Sequence, residues 1–413
     1  MIKWHIPLLV ACLFVFGGNA FADKTPVEVW YTYIADSEEE QLFFRAIEAF
    51  EQNNQDIDVN PVRVPYLQML QQFITASQGG EAPDLVRLNS RDLGKIGQVR
   101  VNGAPLLEDL RPHLTPMERS RIDVRAMNAM RYNHALYSLP VSQASLSLIY
   151  NKDIFDAHGL PYPQDDWSID DMLKVAQLLT KGEVRGLAVP IRVYYWWIAF
   201  QTGFGGWLFD GDGNPTLNSV GSAEALQWVL DLELKHGVVA PGTGFDVEAV
   251  KTQFQQGKAA MTIDGPWNWK SYTDAGLNLG QALLPTVPQS GKRMSPLLAY
   301  IGWSISKQSP NKVATARLAK WLASDTVQRT FALQTYTPPT SVSLKDDPAI
   351  TGDLNLSGFI RQTEVATPAP TTQAMSLAYE PLNTAIELVY TGKMNPAAAL
   401  SAANDNLASN LER

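Results

Sequence analysis

Short β-type runs alternate with amphipathic helical stretches from one end of this chain to the other, and that alternation most narrows the folds open to it. Residues 27–31 have strand composition. Ser37 then precedes Glu38, Glu39 and Glu40, a helix cap followed by an acidic first turn. Leu42, Phe43, Ala46, Ile47 and Phe50 recur at helical spacing. Residues 57–62 form the next strand candidate, 66–77 a second amphipathic stretch and 83–88 a third strand. The middle repeats the grammar. A buried-type strand covers 146–150, Ser168 caps a helix over 169–180 ended by Gly182, and 186–190 is again a strand. Helices over 223–236 and 250–257, a strand over 259–264 and a long helix over 311–324 follow. The last third reads as helical, with a Pro/Thr-rich loop at 367–372. The pattern predicts an α/β protein built on doubly wound sheets.

The start of the chain follows a different rule. Lys3 is its one positive charge before an apolar run over 8–16, and Ala20, Phe21 and Ala22 make a small-residue exit. That is the layout of a secretory signal peptide over 1–22, with Asp23 the expected new terminus. The apolar run is too short to span a bilayer. A rival reading takes residues 9–12 as the box before a lipid-modified Cys12, and the apolar run continuing past Cys12 weighs against it. Cys12 is the only cysteine, so removing the leader leaves no disulfide, thiolate metal site or cysteine nucleophile. The remaining chain is long enough to bury about two domain cores.

Net charge is −9, and −10 once Lys3 is gone. No dense basic cluster exists, which argues against a nucleic-acid partner. Of eleven tryptophans only Trp4 precedes residue 23, so an acidic chain keeps an unusual supply of large flat rings.

Four segments together resemble the maltose-binding type of periplasmic solute-binding protein, the receptor of carbohydrate ABC transporters. They are Gly80-Glu81-Ala82-Pro83-Asp84-Leu85, the run from Leu146 to Asp153, the run from Phe254 through Gly265-Pro266-Trp267-Asn268-Trp269, and Gly302-Trp303-Ser304-Ile305-Ser306 followed by Ser309-Pro310-Asn311-Lys312. Their order and spacing match from about residue 25 to the end. The resemblance implies two doubly wound α/β lobes joined by a multi-crossing hinge, the type II periplasmic-binding arrangement. The first lobe would comprise 23–142 plus 302–337 and the second 146–298 plus 341–413. Crossings would fall near 142–145, 298–301 and 337–341, with Pro338 and Pro339 stiffening the last. Such lobes close on ligand by hinge motion.

The same resemblance implies which residues line the cleft. A sugar offers apolar C–H faces to aromatic rings and hydroxyls to bidentate polar groups. Trp267 matches the family's stacking Trp after a Gly-Pro turn; the alternative is a core Trp, and Trp269 is balanced between the same two roles. Tyr194, Trp196 and Trp197 fall in an aromatic loop of the family, although Tyr194 to Trp197 cannot all face one way, and Arg192 before them is a further candidate. Asn89, Arg91 and Asp92 follow the third strand, where maltose-binding members carry a stacking Trp and a charged pair. Leu88 stands in place of that Trp, which points to a different sugar or mode of binding. Arg91 and Asp92 would clamp vicinal hydroxyls, or else form a solvated helix start capped by Asn89 or Ser90. Tyr33 ends the first strand at the implied cleft rim, with Tyr31 on the same face. Gln143 neighbours Ala144, which occupies a position where the family often has an acidic sugar ligand. Tyr300, Gly302 and Trp303 sit at the second crossing, and Tyr379 matches another stacking ring, with Asn383 one turn on.

The implied function is capture of a mono- to trisaccharide, an α-glucoside by preference, for delivery to a membrane permease by a monomeric periplasmic receptor without cofactor or metal. Two alternatives stand beside it. One is a receptor of the same fold for a polyol, glycosyl-polyol or glycerol-phosphate compound. The other is a secreted carbohydrate-active enzyme, which needs two carboxylates at fixed separation. No G-x-S-x-G or H-E-x-x-H motif is present. Asp210-x-Asp212-x-Asn214 mimics the start of a calcium loop, but Gly221 stands where the closing Glu belongs, so a turn is expected.

Overall fold

The computed structural model describes residues 24–412. The expected leader 1–22 with Cys12, and the expected terminus at Asp23, lie outside the described residues. Among the described residues the alternation resolves into two main sheets, beside three small two-stranded ones. The strands of the main sheets in chain order are β1 (Thr25–Tyr31), β2 (Ile57–Arg63), β3 (Leu85–Asn89), β4 (Leu139–Ala144), β5 (Ser147–Asn151), β6 (Arg185–Ala188), β7 (Ala259–Asp264), β8 (Leu279–Ala282), β9 (Leu297–Ile305) and β10 (Thr367–Pro368).

The first sheet runs β10-β9-β3-β1-β2, with β4 also on β9. β1 lies parallel to both β2 and β3, while β9 enters antiparallel, setting Ile301 opposite Asn89. The second runs β6-β7-β5-β8, its β6–β7 pair parallel and the other pairs antiparallel. β3, β5 and β7 are buried at every position, as strands covered on both faces must be. The helix Glu38–Asn53 covers the first sheet with Leu42, Phe43, Ala46, Ile47 and Phe50, and the Ser37 hydroxyl accepts from the Glu40 N–H at its start. Glu40 is itself buried; its carboxylate accepts from Tyr31 OH (2.8 Å) and the Asp36 N–H (2.7 Å), which pins the loop after β1.

Two large cores result. One gathers Val27, Phe43, Ile57, Phe73 and Trp303, the other Trp197, Phe200, Met261 and Leu400. β9 runs from one to the other, with Leu297 in the second core and Leu298, Trp303 and Ile305 in the first. The segments expected to cross between lobes lie side by side. Ser142 of β4 faces Ile301 of β9 and bridges to Pro339. The Gln143 backbone N–H donates to Pro338 O (2.9 Å) and its Nε2 to Pro339 O (2.8 Å). Thr340 Oγ1 donates back to Pro140 O (2.9 Å).

Candidate functional site

Ligands of open α/β sheets sit at the ends of the parallel strands, and the candidate gap lies between the four loops found there: Tyr66 after β2, Asn89 to Asp92 after β3, Tyr194 and Tyr195 after β6, and Gly265 to Trp267 after β7. Arg91 joins the first three through Tyr66 and Tyr195.

On the first lobe Asn89 is the organiser. Its Oδ1 accepts from the backbone N–H of Arg91 (3.0 Å) and from Arg91 Nε (3.4 Å), and its Nδ2 donates to Tyr66 OH (3.0 Å). Arg91 Nη2 donates to the same phenol (2.7 Å). Asn89 therefore caps the short 3-10 turn Ser90–Asp92 and orients the arginine as well. Ser90 Oγ accepts from the Tyr300 N–H (3.1 Å) and ties this turn to β9. Arg91 and Asp92 form no ion pair with one another. Burial pushes the Asp92 carboxyl above the ordinary aspartate range, and the Arg91 charge and the Asn89 N–H only partly offset this.

On the second lobe the helix Tyr194–Gly203 presents its first turn to the gap. The Tyr194 ring stacks on Tyr379 with centroids 4.4 Å apart, and the Tyr194 N–H donates to Asn383 Oδ1 (3.0 Å). Burial pushes the Tyr194 hydroxyl far above the usual tyrosine value and Tyr195 up to about 12, so both stay protonated donors. Trp267 folds its ring back over Gly265, where a Cβ would lie 2.0 Å from that ring and push it aside. Asp264 fixes the turn by accepting from the Gly265 N–H (2.8 Å), Asn268 Nδ2 (2.9 Å) and Tyr272 OH (2.5 Å).

The two walls meet. The Arg91 guanidinium lies 5.2 Å from the Tyr195 ring centroid. A Cβ on Gly94, in the helix after Arg91, would come within 2.5 Å of the Thr372 backbone on the second lobe.

Several expected site residues sit elsewhere. Trp197 and Tyr300 are 0% exposed and Trp303 1%, so they offer a ligand no surface and belong to the cores. Trp196 is buried and spends its indole N–H on Ile263 O (2.7 Å), which fastens the aromatic helix to β7. Gln143 is committed to the Pro338–Pro339 crossing. At Gly302 the close approach is to Leu139 O across the β4–β9 pair, 2.5 Å from an added Cβ, and not to a ligand. Tyr33 is buried under the Arg87 guanidinium, 4.1 Å from its ring centroid, beside a small cavity also lined by Glu39, Ser142, Gln328 and Thr337. Tyr31 packs on Phe43, and Trp269 is core, edge-on to Phe359. Arg192 is held between Phe245 and Tyr390 and donates to Gly242 O (3.0 Å). The Asp210 loop is a turn whose carboxylate accepts from the N–H groups of Asp212 and Asn214 and from Asn214 Nδ2. Sequence reasoning passed over Tyr66 and did not single out Tyr195; both stand at the first helical position or next to it after a strand.

The bacterial extracellular solute-binding protein family matches residues 35–329, and the chain belongs to it. The galactooligosaccharide-binding protein of Bacillus subtilis is 27% identical over 377 residues, covering 89% of this chain and 86% of the relative. The maltotriose-bound maltose/maltodextrin-binding domain MalE from Bdellovibrio bacteriovorus superposes with a TM-score of 0.83 at 23% identity, over 94% of this chain and 100% of its own. The Thermus thermophilus maltotriose binding protein, bound with maltotriose, does so with 0.80 at 25%, over 93% and 100%. The fold is the two-lobed α/β fold of these binding proteins, and the protein is an extracellular solute-binding protein. Among the described residues no helix is long and apolar enough to cross a membrane.

Proposed function

We propose that this protein captures a mono- to trisaccharide, an α-glucoside by preference, between its lobes and hands it without chemical change to an ABC permease. The observation that carries the reading is the composition of the gap. A stacked Tyr194–Tyr379 pair and Tyr195, whose ring centroid lies 5.2 Å from the Arg91 guanidinium, meet the hydrogen-bonded Arg91 and Asn89, with Trp267 on the neighbouring turn after β7. Rings for C–H faces and polar groups for hydroxyls are what a pyranose needs. The names of the relatives, which bind galactooligosaccharides and maltotriose, point the same way.

In this reading the lobes comprise 23–142 plus 302–337 and 146–298 plus 341–413, and the monomeric receptor works in the periplasm after loss of 1–22. A glycerol-phosphate ligand is disfavoured because Arg192 is spent inside the second lobe, leaving Arg91 as the cation at the gap. A glycosidase would need two carboxylates on the sugar; of the acidic residues near the site, Asp264 is instead held in its turn by three donors. Calorimetry against maltose, maltotriose, a galactooligosaccharide and glycerol 3-phosphate tests the proposal. One-to-one binding of a sugar with no product after prolonged incubation is expected. Exclusive binding of glycerol 3-phosphate, or release of hydrolysis products, refutes it.

A further inference from the structure

We infer that Tyr66 is the first lobe's sugar-stacking ring and a hydrogen-bond donor to the ligand, so that a pyranose is gripped between Tyr66 and the aromatic wall opposite. This rests on the reading that the cleft takes a sugar. Leu88 cannot supply such a face: it is 2% exposed and lies within β3. Tyr66 opens the helix Tyr66–Gly79 right after Pro65, on the loop that follows β2, and is 45% exposed.

An exposed ring is ordinarily free to swing. This one is not. Its phenol oxygen accepts from Asn89 Nδ2 at 3.0 Å and from Arg91 Nη2 at 2.7 Å. A phenol can accept and carries one O–H to donate. Its oxygen already accepts from two donors, and among the described residues none accepts the O–H. Tyr66 is thereby fixed in orientation and converted into a pure donor, while its ring face stays open. Arg91 also lies over Tyr195 of the second lobe, so the clamp that fixes Tyr66 sits at the point where the two walls meet. A large apolar face held rigid at a cleft pays little further entropy on binding. The O–H suits a ring oxygen or hydroxyl of the sugar as acceptor.

The test is calorimetry with the tightest-binding sugar of the panel on wild type, Tyr66→Phe, Tyr66→Ala and Trp267→Ala, with thermal melts of each. Tyr66→Ala should weaken binding by more than about tenfold, as loss of an anchoring aromatic does. Tyr66→Phe should fall between it and wild type, because the face is kept and the donor lost. Melting should change little, since the ring is half-exposed. Unchanged affinity in Tyr66→Ala, alongside a large loss in Trp267→Ala, overturns the role of Tyr66 while leaving sugar capture standing. Absence of sugar binding by the wild type overturns both.

Discussion

Arg91 and Tyr195 come from different lobes, yet the guanidinium of one stands 5.2 Å from the ring centroid of the other. The same guanidinium reaches Tyr66 OH and Asn89 Oδ1. It therefore links three of the four loops directly: its own, the one bearing Tyr66 and the one bearing Tyr195. A cation over an aromatic face contributes roughly 0.5–1 kcal/mol where solvent is present and more when it is excluded. Arg91→Ala should weaken sugar binding by roughly tenfold to a hundredfold, the size of a lost charge-assisted hydrogen bond. Arg91→Lys should recover part of this and not all, because an ammonium lacks the planar fork. Titration calorimetry decides it; equal affinity for wild type and Arg91→Ala removes the residue from the site.

Trp267 and Trp269 are two residues apart and should behave oppositely. Trp267 is half-buried on the turn after β7, and Trp267→Ala should cost binding about 2–4 kcal/mol with little change in melting. Trp269 is 1% exposed, packed against Phe359 and Tyr336, so Trp269→Ala should destabilise the fold by about 3–5 kcal/mol. Chemical denaturation alongside calorimetry separates the two. The same stability loss in both variants contradicts the assignment.

Gly94 is expected to control closure. A side chain there meets the backbone of Thr371 and Thr372, which cannot fold out of the way as a side-chain tip can. Gly94→Val should leave melting of the free protein nearly unchanged and hold the lobes apart. If closed molecules fall to a tenth of their former share, apparent affinity falls about tenfold. Small-angle scattering with and without sugar reads this directly: wild type should contract on binding and the variant less. Equal contraction would sink the idea.

Acid should weaken the back of the hinge through Asp123. Burial pushes this carboxyl up, but Lys345 Nζ at 2.7 Å and the N–H groups of Arg125 and Ala126 outweigh it and hold it below the ordinary aspartate range. A lowered folded value means the stabilisation is complete above the free-chain value of about 3.9 and disappears as pH falls below it. Asp123→Ala should cost about 1 kcal/mol or more at neutral pH from the lost helix cap alone. The gap to wild type should shrink toward pH 3 in denaturant titrations. A gap independent of pH would mean the carboxylate charge contributes nothing.

What could be read from the chain, and what could not, divides along physical lines. β1 to β3 and the helices between them were legible because period and capping are local: Ser37 before three acids, apolar residues at helical spacing, glycine at the stops. β4 and β9 were seen only as crossings, since an antiparallel partner over a hundred residues away leaves no local mark. At the site, the loops after strands pointed to Asn89, Arg91, Tyr194 and Trp267 and the family resemblance pointed to Tyr379; the structure joins Arg91 to Asn89 and stacks Tyr194 on Tyr379. In the run Tyr194 to Trp197 the sequence could not say which rings turn inward. The helix begins at Tyr194, and a rotation of about 100° per residue carries Trp196 and Trp197 into the core. Tyr300 and Trp303 were lost for a similar reason, because the register of β9 against β3 and β4 decides which way each points. Arg192 looked free until Phe245 and Tyr390, distant in sequence, enclosed it.

The lateral stitching of Gln143 to Pro338 and Pro339, with β9 on the other side of β4, has a mechanical consequence. Two strands, β4 and β9, and the single bridge from Ser142 to Pro339 are bonded edge to edge as a strap. A strap flexes readily about an axis lying in its plane across the strands and resists shear and in-plane rotation, because those motions stretch the bonds between neighbours. In the proposed closing of the lobes, such a strap leaves the motion essentially one soft coordinate. A sugar that seats between the walls has only that coordinate to drive, and whatever reads the protein's shape from outside has only that coordinate to read.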